Sequence, residues 1–140
     1  MFTDLGGKID GVLAANDGLG GAAIAVLDKN GVALPVTGQD ATVGGLQNVL
    51  LGKQCMTVFK NTDLEAGDAS ALAIALLNGE TPEVEGTVDV NGTSVPAKYS
   101  EPVIIYADNV ADVIAATPGY DVAALCAGDV AAACTELGIQ

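Results

Sequence analysis

Apolar positions in this chain come in short blocks, each closed by glycine, asparagine or aspartate. Residues 9–15 form the first block and end at Asn16-Asp17-Gly18, which predicts a buried strand running into a turn. Residues 20–27, rich in Ala, Ile and Leu, predict a helix with Asp17 as N-cap and Asn30-Gly31 as its stop. The pair of elements then recurs. Residues 33–38 read as a strand that tolerates Pro35 near its start, and Asp40 is placed to cap a helix over 42–51 that stops at Gly52. A third strand over 54–59 leads through Lys60-Asn61-Thr62-Asp63 into a longer helix ending near Asn78-Gly79.

Strands alternating with helices at this spacing predict an α/β fold, a parallel sheet with flanking helices and right-handed crossovers. Residues 84–95 break that pattern: apolar and polar side chains alternate around Asn91-Gly92, a strong hairpin signal, so a late antiparallel β-hairpin is expected. Residues 102–106 read as one more strand. Two Ala-rich helical segments, 108–116 and 122–137, are divided by Thr117-Pro118-Gly119, which cannot continue a helix.

At 140 residues, half of them hydrophobic and 16% charged, the chain is long and apolar enough for a real core. Its five basic residues are all lysines and stand against 18 acidic ones, a net charge of −13. Nucleic acid and anionic membrane surfaces are therefore excluded as partners, since both require a basic face. The absence of histidine removes every mechanism built on imidazole, and no nucleophile and base form a pair, so no enzyme is expected. No metal site and no cofactor are expected either. The longest apolar stretches, 22–27 and 69–77, fall far short of the ~20 residues of a membrane span. Residues 1–8 lack a basic and an apolar signal region, so an export signal is expected to be absent from this chain or already removed.

Three polar residues occupy equivalent places: Asn16 follows the first predicted strand, Asp40 the second, and Lys60 ends the third. The carboxyl ends of parallel strands open onto one crevice, where ligands bind, so these side chains are expected to face a common cleft. An amide, a carboxylate and an ammonium together suit a polyol or sugar. Each residue taken alone is equally an ordinary turn, cap or solvated lysine. A second reading comes from Gly18-Leu19-Gly20-Gly21-Ala22-Ala23, which fits the G-x-G-x-x-A fingerprint of a dinucleotide-binding Rossmann-like domain, with Asp40 at the acidic position. A third is a structural or assembly role without ligand. Asn91-Gly92-Thr93 also matches a glycosylation sequon, which the hairpin turn explains fully.

The runs Asp10-Gly11-Val12-Leu13-Ala14-Ala15-Asn16-Asp17-Gly18, Val36-Thr37-Gly38-Gln39-Asp40-Ala41 and Gly52-Lys53-Gln54-Cys55-Met56-Thr57-Val58-Phe59-Lys60, in that order, resemble the later part of bacterial periplasmic sugar-binding proteins of ABC importers, the xylose-binding branch above all. The resemblance continues through Val90-Asn91-Gly92 and Ser100-Glu101-Pro102-Val103. It implies a type I periplasmic-binding fold, here a C-terminal portion, and sugar contacts from Asn16, Asp40 and Lys60. It also implies a pentose ligand, importer membrane subunits as partners, and a periplasmic or extracellular home, with the full-length parent secreted or lipid-anchored. By the same resemblance residues 1–53 belong to the second sugar-binding lobe, 54–80 complete the other lobe, and 81–140 hold the hairpin, return strand and C-terminal helices. The first lobe, with its arginines and aromatic ring, would lie outside this chain. An incomplete fold leaves sheet edges and the apolar 69–77 face uncovered, so self-association is expected.

The cysteines add one constraint. Cys126 and Cys134 would stand ~12 Å apart in an unbroken helix, beyond the ~7 Å reach of a disulfide, but Gly128 as a stop and Asp129 as a new N-cap break it. A Cys126–Cys134 disulfide is therefore expected, the alternative being two small core residues on one helix face, with Cys55 a free, buried thiol.

Overall fold

The first helix, α1 (Asp17–Lys29), starts from Asn16, whose side-chain oxygen accepts the Leu19 N–H at 2.9 Å. The computed structural model describes residues 2–139 and divides the chain into two units, one built from the chain up to Phe59 and from Val103 onward, the other Lys60–Pro102. Asp17 is thus not the cap that the sequence suggests. Asn16 has the extended backbone of a cap, φ −156° and ψ 172°, whereas Asp17 is already helical and buried. Gly20, Ile24 and Leu27, spaced along one helix face, are the buried side of α1, and Ile24 and Leu27 pack with Val36 in a small core.

Helix α2 (Val43–Leu50) is capped by Thr42, whose Oγ1 accepts the Gly45 N–H at 3.0 Å. Asp40, expected in that role, lies two residues too far upstream, in left-handed backbone at φ 96°. The third strand is shorter than expected: β1 (Thr57–Phe59) pairs antiparallel with β4 (Val103–Ile105), Thr57 opposite Ile105. On its other side the Cys55 N–H donates to Val36 O and the Asp40 N–H to Val58 O, each at 2.8 Å, so residues 36–40 and 55–58 run in the same direction. Val12 and Val36 form one parallel bridge beyond them. The α/β class and the parallel course of the first three segments hold, but the ladder between the first two is a single bridge. The reason lies in Thr37, whose hydroxyl accepts from the Ala14 N–H at 3.0 Å and donates to the Ala14 carbonyl at 3.2 Å in place of main-chain partners.

The larger core of this unit gathers Leu46, Val49, Ile105, Val110, Leu125 and Cys134. Burying each aliphatic side chain contributes about 1.5–3 kcal/mol. It is closed by α4 (Val110–Ala115), α5 (Val122–Leu125), a 3-10 turn (Gly128–Val130) and α6 (Ala131–Glu136). The helical stretch breaks at Gly128, φ 74°, and Cys126 and Cys134 form a disulfide with a Cα–Cα distance of 5.8 Å. Asp129 lies within the 3-10 turn instead of capping a helix. Cys55 is exposed, contrary to expectation, in the bend before β1 where its neighbour Gln54 takes the buried place.

The second unit holds α3 (Thr62–Leu77) and a hairpin of β2 (Gly86–Val90) and β3 (Thr93–Ala97). Asn61 caps α3 by accepting the Asp63 and Leu64 N–H groups. Asn91 and Gly92 both take positive φ, 52° and 82°, as a two-residue turn of this type requires. Lys98, just past β3, pairs with Asp68 of α3 at 3.3 Å. No residue of α3 is buried, and Ile74, Leu76 and Leu77 stand open. The β1–β4 pairing draws 54–59 and the C-terminal helices into the first unit and leaves α3 with the hairpin. Among the described residues no helix is long and apolar enough to cross a membrane.

Candidate functional site

Asp17 organises the edge of the first unit. Its Oδ2 accepts from the Thr42 N–H at 2.8 Å and the Thr42 hydroxyl at 3.1 Å, and its Oδ1 from Gln54 Nε2 at 2.8 Å and the Thr57 hydroxyl at 2.7 Å. One buried carboxylate thereby joins α1, the cap of α2, the lead into β1 and β1 itself. The space around it is cut to fit: a Cβ at Gly38 or Gly45 would fall on the Asp17 side chain, so glycine is required at both.

Two of the three candidate ligand residues, Asn16 and Asp40, lie in the loops next to this carboxylate. The Asp17 N–H donates to the Gln39 carbonyl at 2.9 Å, so Asn16 and Asp40 flank a direct hydrogen bond between their two loops. Asn16 is half-buried with Oδ1 committed to the helix cap, which leaves its amide N–H groups as what it chiefly offers a ligand. Asp40 is exposed. Its backbone and that of Ala41, φ 96° and 49°, are both left-handed without glycine, a strain of about 1–3 kcal/mol per residue of the kind found at ligand sites. Lys60 follows β1 directly, half-buried, as the first residue of the second unit, and the juxtaposition of Asn16 and Asp40 belongs to the first unit alone. A largely apolar cavity of about 350 Å³, lined by Phe2, Leu5, Ile9, Val12 and Leu27 with Thr3 as its one polar side chain, suits a polyol poorly.

The strained pair is held from three directions. The Asp40 N–H donates to Val58 O at 2.8 Å, the Ala41 N–H to the Thr57 hydroxyl at 3.2 Å, and the Tyr120 hydroxyl donates to the Ala41 carbonyl at 2.8 Å. Burial, then the charges of Asp17 and Asp121, push the Tyr120 hydroxyl from 10.0 up to about 12. A raised folded-state value means that the folded chain retains this proton longer than the unfolded chain. The contribution is complete below ~pH 10, the ordinary tyrosine value, and is lost as pH rises towards 12. Wild-type urea midpoints should therefore fall more steeply than those of Tyr120→Phe across that window. Parallel curves would show that Tyr120 does not carry the effect.

A family profile described as periplasmic binding protein domain matches residues 1–81, more than half of the chain. The chain belongs to the periplasmic binding protein family. It is 34% identical over 109 residues to the D-xylose-binding periplasmic protein of Escherichia coli, a match covering 76% of this chain and 33% of that protein. Among solved structures it is similar to a carbohydrate transporter solute-binding protein from Chloroflexus aurantiacus in complex with D-glucose, with a TM-score of 0.74, 34% identity, and coverage of 81% of this chain and 34% of the other. An ABC transporter solute-binding protein from Clostridium phytofermentans with bound β-D-glucose gives a TM-score of 0.73 at 28% identity, covering 84% and 38%. This chain spans about a third of the length of the proteins it matches.

In this periplasmic binding protein chain the Gly18–Ala23 run forms no phosphate loop. It lies inside α1, whose first turn is already capped by Asn16, and Gly20 is small because a Cβ there would meet Thr37 O at 2.9 Å. That geometry argues against the dinucleotide reading. Sequence reasoning missed Asp17, Thr42, Thr57 and Tyr120 as the groups that hold the loops of Asn16 and Asp40. Asp17 carried a usable signal, since two adjacent residues cannot both serve as one N-cap, but Tyr120 lies 79 residues from its partner Ala41 and carried none.

Proposed function

We propose that the chain is part of a monosaccharide-binding protein that delivers its ligand to an ABC-type importer, and that Asn16, Asp40 and Lys60 hydrogen-bond the sugar. The observation that carries this reading is the left-handed Asp40-Ala41 pair beside Asn16, strain retained where an exposed carboxylate can accept from two vicinal hydroxyls. Membership of the family and the sugar-binding names of its relatives support it. The protein binds and does not catalyse, acts in the periplasm or outside the cell, and closes its lobes on the sugar, the closed state being the one importer subunits recognise. Likeness to the D-xylose-binding relative supports a pentose, while the two structural neighbours carry D-glucose, so both sugars belong in the test. The open apolar residues of α3 support association with a further lobe or a second copy.

Calorimetric titration with D-xylose and D-glucose, on the chain reconstituted with a supplied first lobe, provides the test. Asp40→Ala should weaken binding about 10- to 150-fold, since a hydrogen bond to a charged acceptor is worth about 1.5–3 kcal/mol. Equal affinity in the variant and the wild type would remove Asp40 from the site.

A further inference from the structure

We infer that Tyr120 is a positioning residue of the candidate sugar site: its hydroxyl on the Ala41 carbonyl holds Asp40 and Ala41 in the backbone conformation that presents the Asp40 carboxylate. The inference rests on the sugar-binding reading above. Two consecutive non-glycine residues at positive φ do not persist on local preference, because a Cβ disfavours that region at each of them. The main-chain N–H groups of both residues are anchored on Thr57 and Val58 of β1, and the Ala41 peptide oxygen is a further point where the pair could swing. Tyr120 closes that point at 2.8 Å.

Tyr120 is itself well fixed. Its N–H donates to Thr117 O at 3.3 Å, its carbonyl accepts the Val122 N–H at 2.9 Å, and Asp121 next to it caps α5 through the Ala124 N–H. The helix it precedes is tied to α2, where Gln47 Nε2 donates to the Ala124 and Leu125 carbonyls, and is followed at once by the Cys126–Cys134 disulfide. The C-terminal segment is therefore a rigid arm carrying one hydroxyl to the ligand loop. Tyr120 touches no sugar in this scheme and acts through Ala41 alone.

The test compares Tyr120→Phe with Ile24→Val, a variant in the separate small core that should cost similar stability without reaching the loop. Backbone amide resonances and HN–Hα couplings of Asp40 and Ala41 are recorded on the 140-residue chain, followed by titration with D-xylose and D-glucose. Tyr120→Phe should shift both amides, change both couplings and weaken sugar binding about 3- to 10-fold, the loss of one neutral hydrogen bond. Ile24→Val should leave all three as in the wild type. Unmoved Asp40 and Ala41 amides in Tyr120→Phe overturn the inference, and so does an equal response in Ile24→Val. Should the isolated chain take up neither sugar, because the parent protein closes two lobes on its ligand, the amide resonances and couplings of Asp40 and Ala41 decide the positioning role by themselves.

Discussion

Replacing Asp17 with alanine is expected to destabilise the first unit by about 3–5 kcal/mol, a large share of the 5–15 kcal/mol that holds a typical domain folded. The carboxylate is 3% exposed and all four of its side-chain partners are donors. Alanine strands those donors where water does not replace the lost acceptor, and each buried unpaired donor costs about 1–3 kcal/mol. The loss falls short of the full sum because Thr42 and Thr57 can rotate their hydroxyls to other acceptors. Asp17→Asn, of nearly the same shape, should also destabilise, though less, because its NH2 group must face two of these four donors while its oxygen keeps the other two. Urea unfolding followed by circular dichroism measures both, and an Asp17→Ala midpoint equal to wild type would mean that the carboxylate organises nothing.

Leu46→Ala should lose about 2–5 kcal/mol, the range for emptying a fully packed leucine site. Leu46 is 0% exposed at the centre of the larger core and lies on α2 directly after Gly45, whose bare Cα makes room for Asp17. A cavity there loosens α2 and with it the cap at Thr42. Leu13→Ala provides the contrast: Leu13 is 92% exposed, and its removal should change stability by no more than about 0.5 kcal/mol. Similar losses at the two positions would mean that the core is placed wrongly.

Helix positions were legible in the sequence because they rest on near neighbours. The stops at Asn30-Gly31, Gly52 and Gly79 and the turn at Asn91-Gly92 lie where short-range chemistry puts them. Caps were read less well. Asn16 and Asp17 are both good N-caps, and what decides between them is that Thr42, Gln54 and Thr57, up to 40 residues away, need Asp17 as their acceptor. Strand lengths failed for a related reason, since no local rule says that the Thr37 hydroxyl will replace main-chain pairing to Ala14. Asn16 and Asp40 were singled out from their places after predicted strands. The strain that displays Asp40 depends on Thr57, Val58 and Tyr120, three partners that no spacing pattern links to it.

The pairing of β1 with β4 sets a timetable for synthesis. Thr57 and Ile105 are partners although the whole second unit lies between them in the chain. At the usual pace of translation β4 leaves the ribosome roughly 2–10 s after β1. For that interval one edge of β1 has no strand beside it and the core around Leu46 lacks Ile105, Val110 and Leu125, so the first unit cannot finish folding. Closing so long a loop adds an entropic cost that must be met before the β1–β4 contacts form. The nascent polypeptide is thus most prone to aggregate in that interval, when the loop of Asp40 and Ala41 exists and its partner Tyr120 has yet to be made.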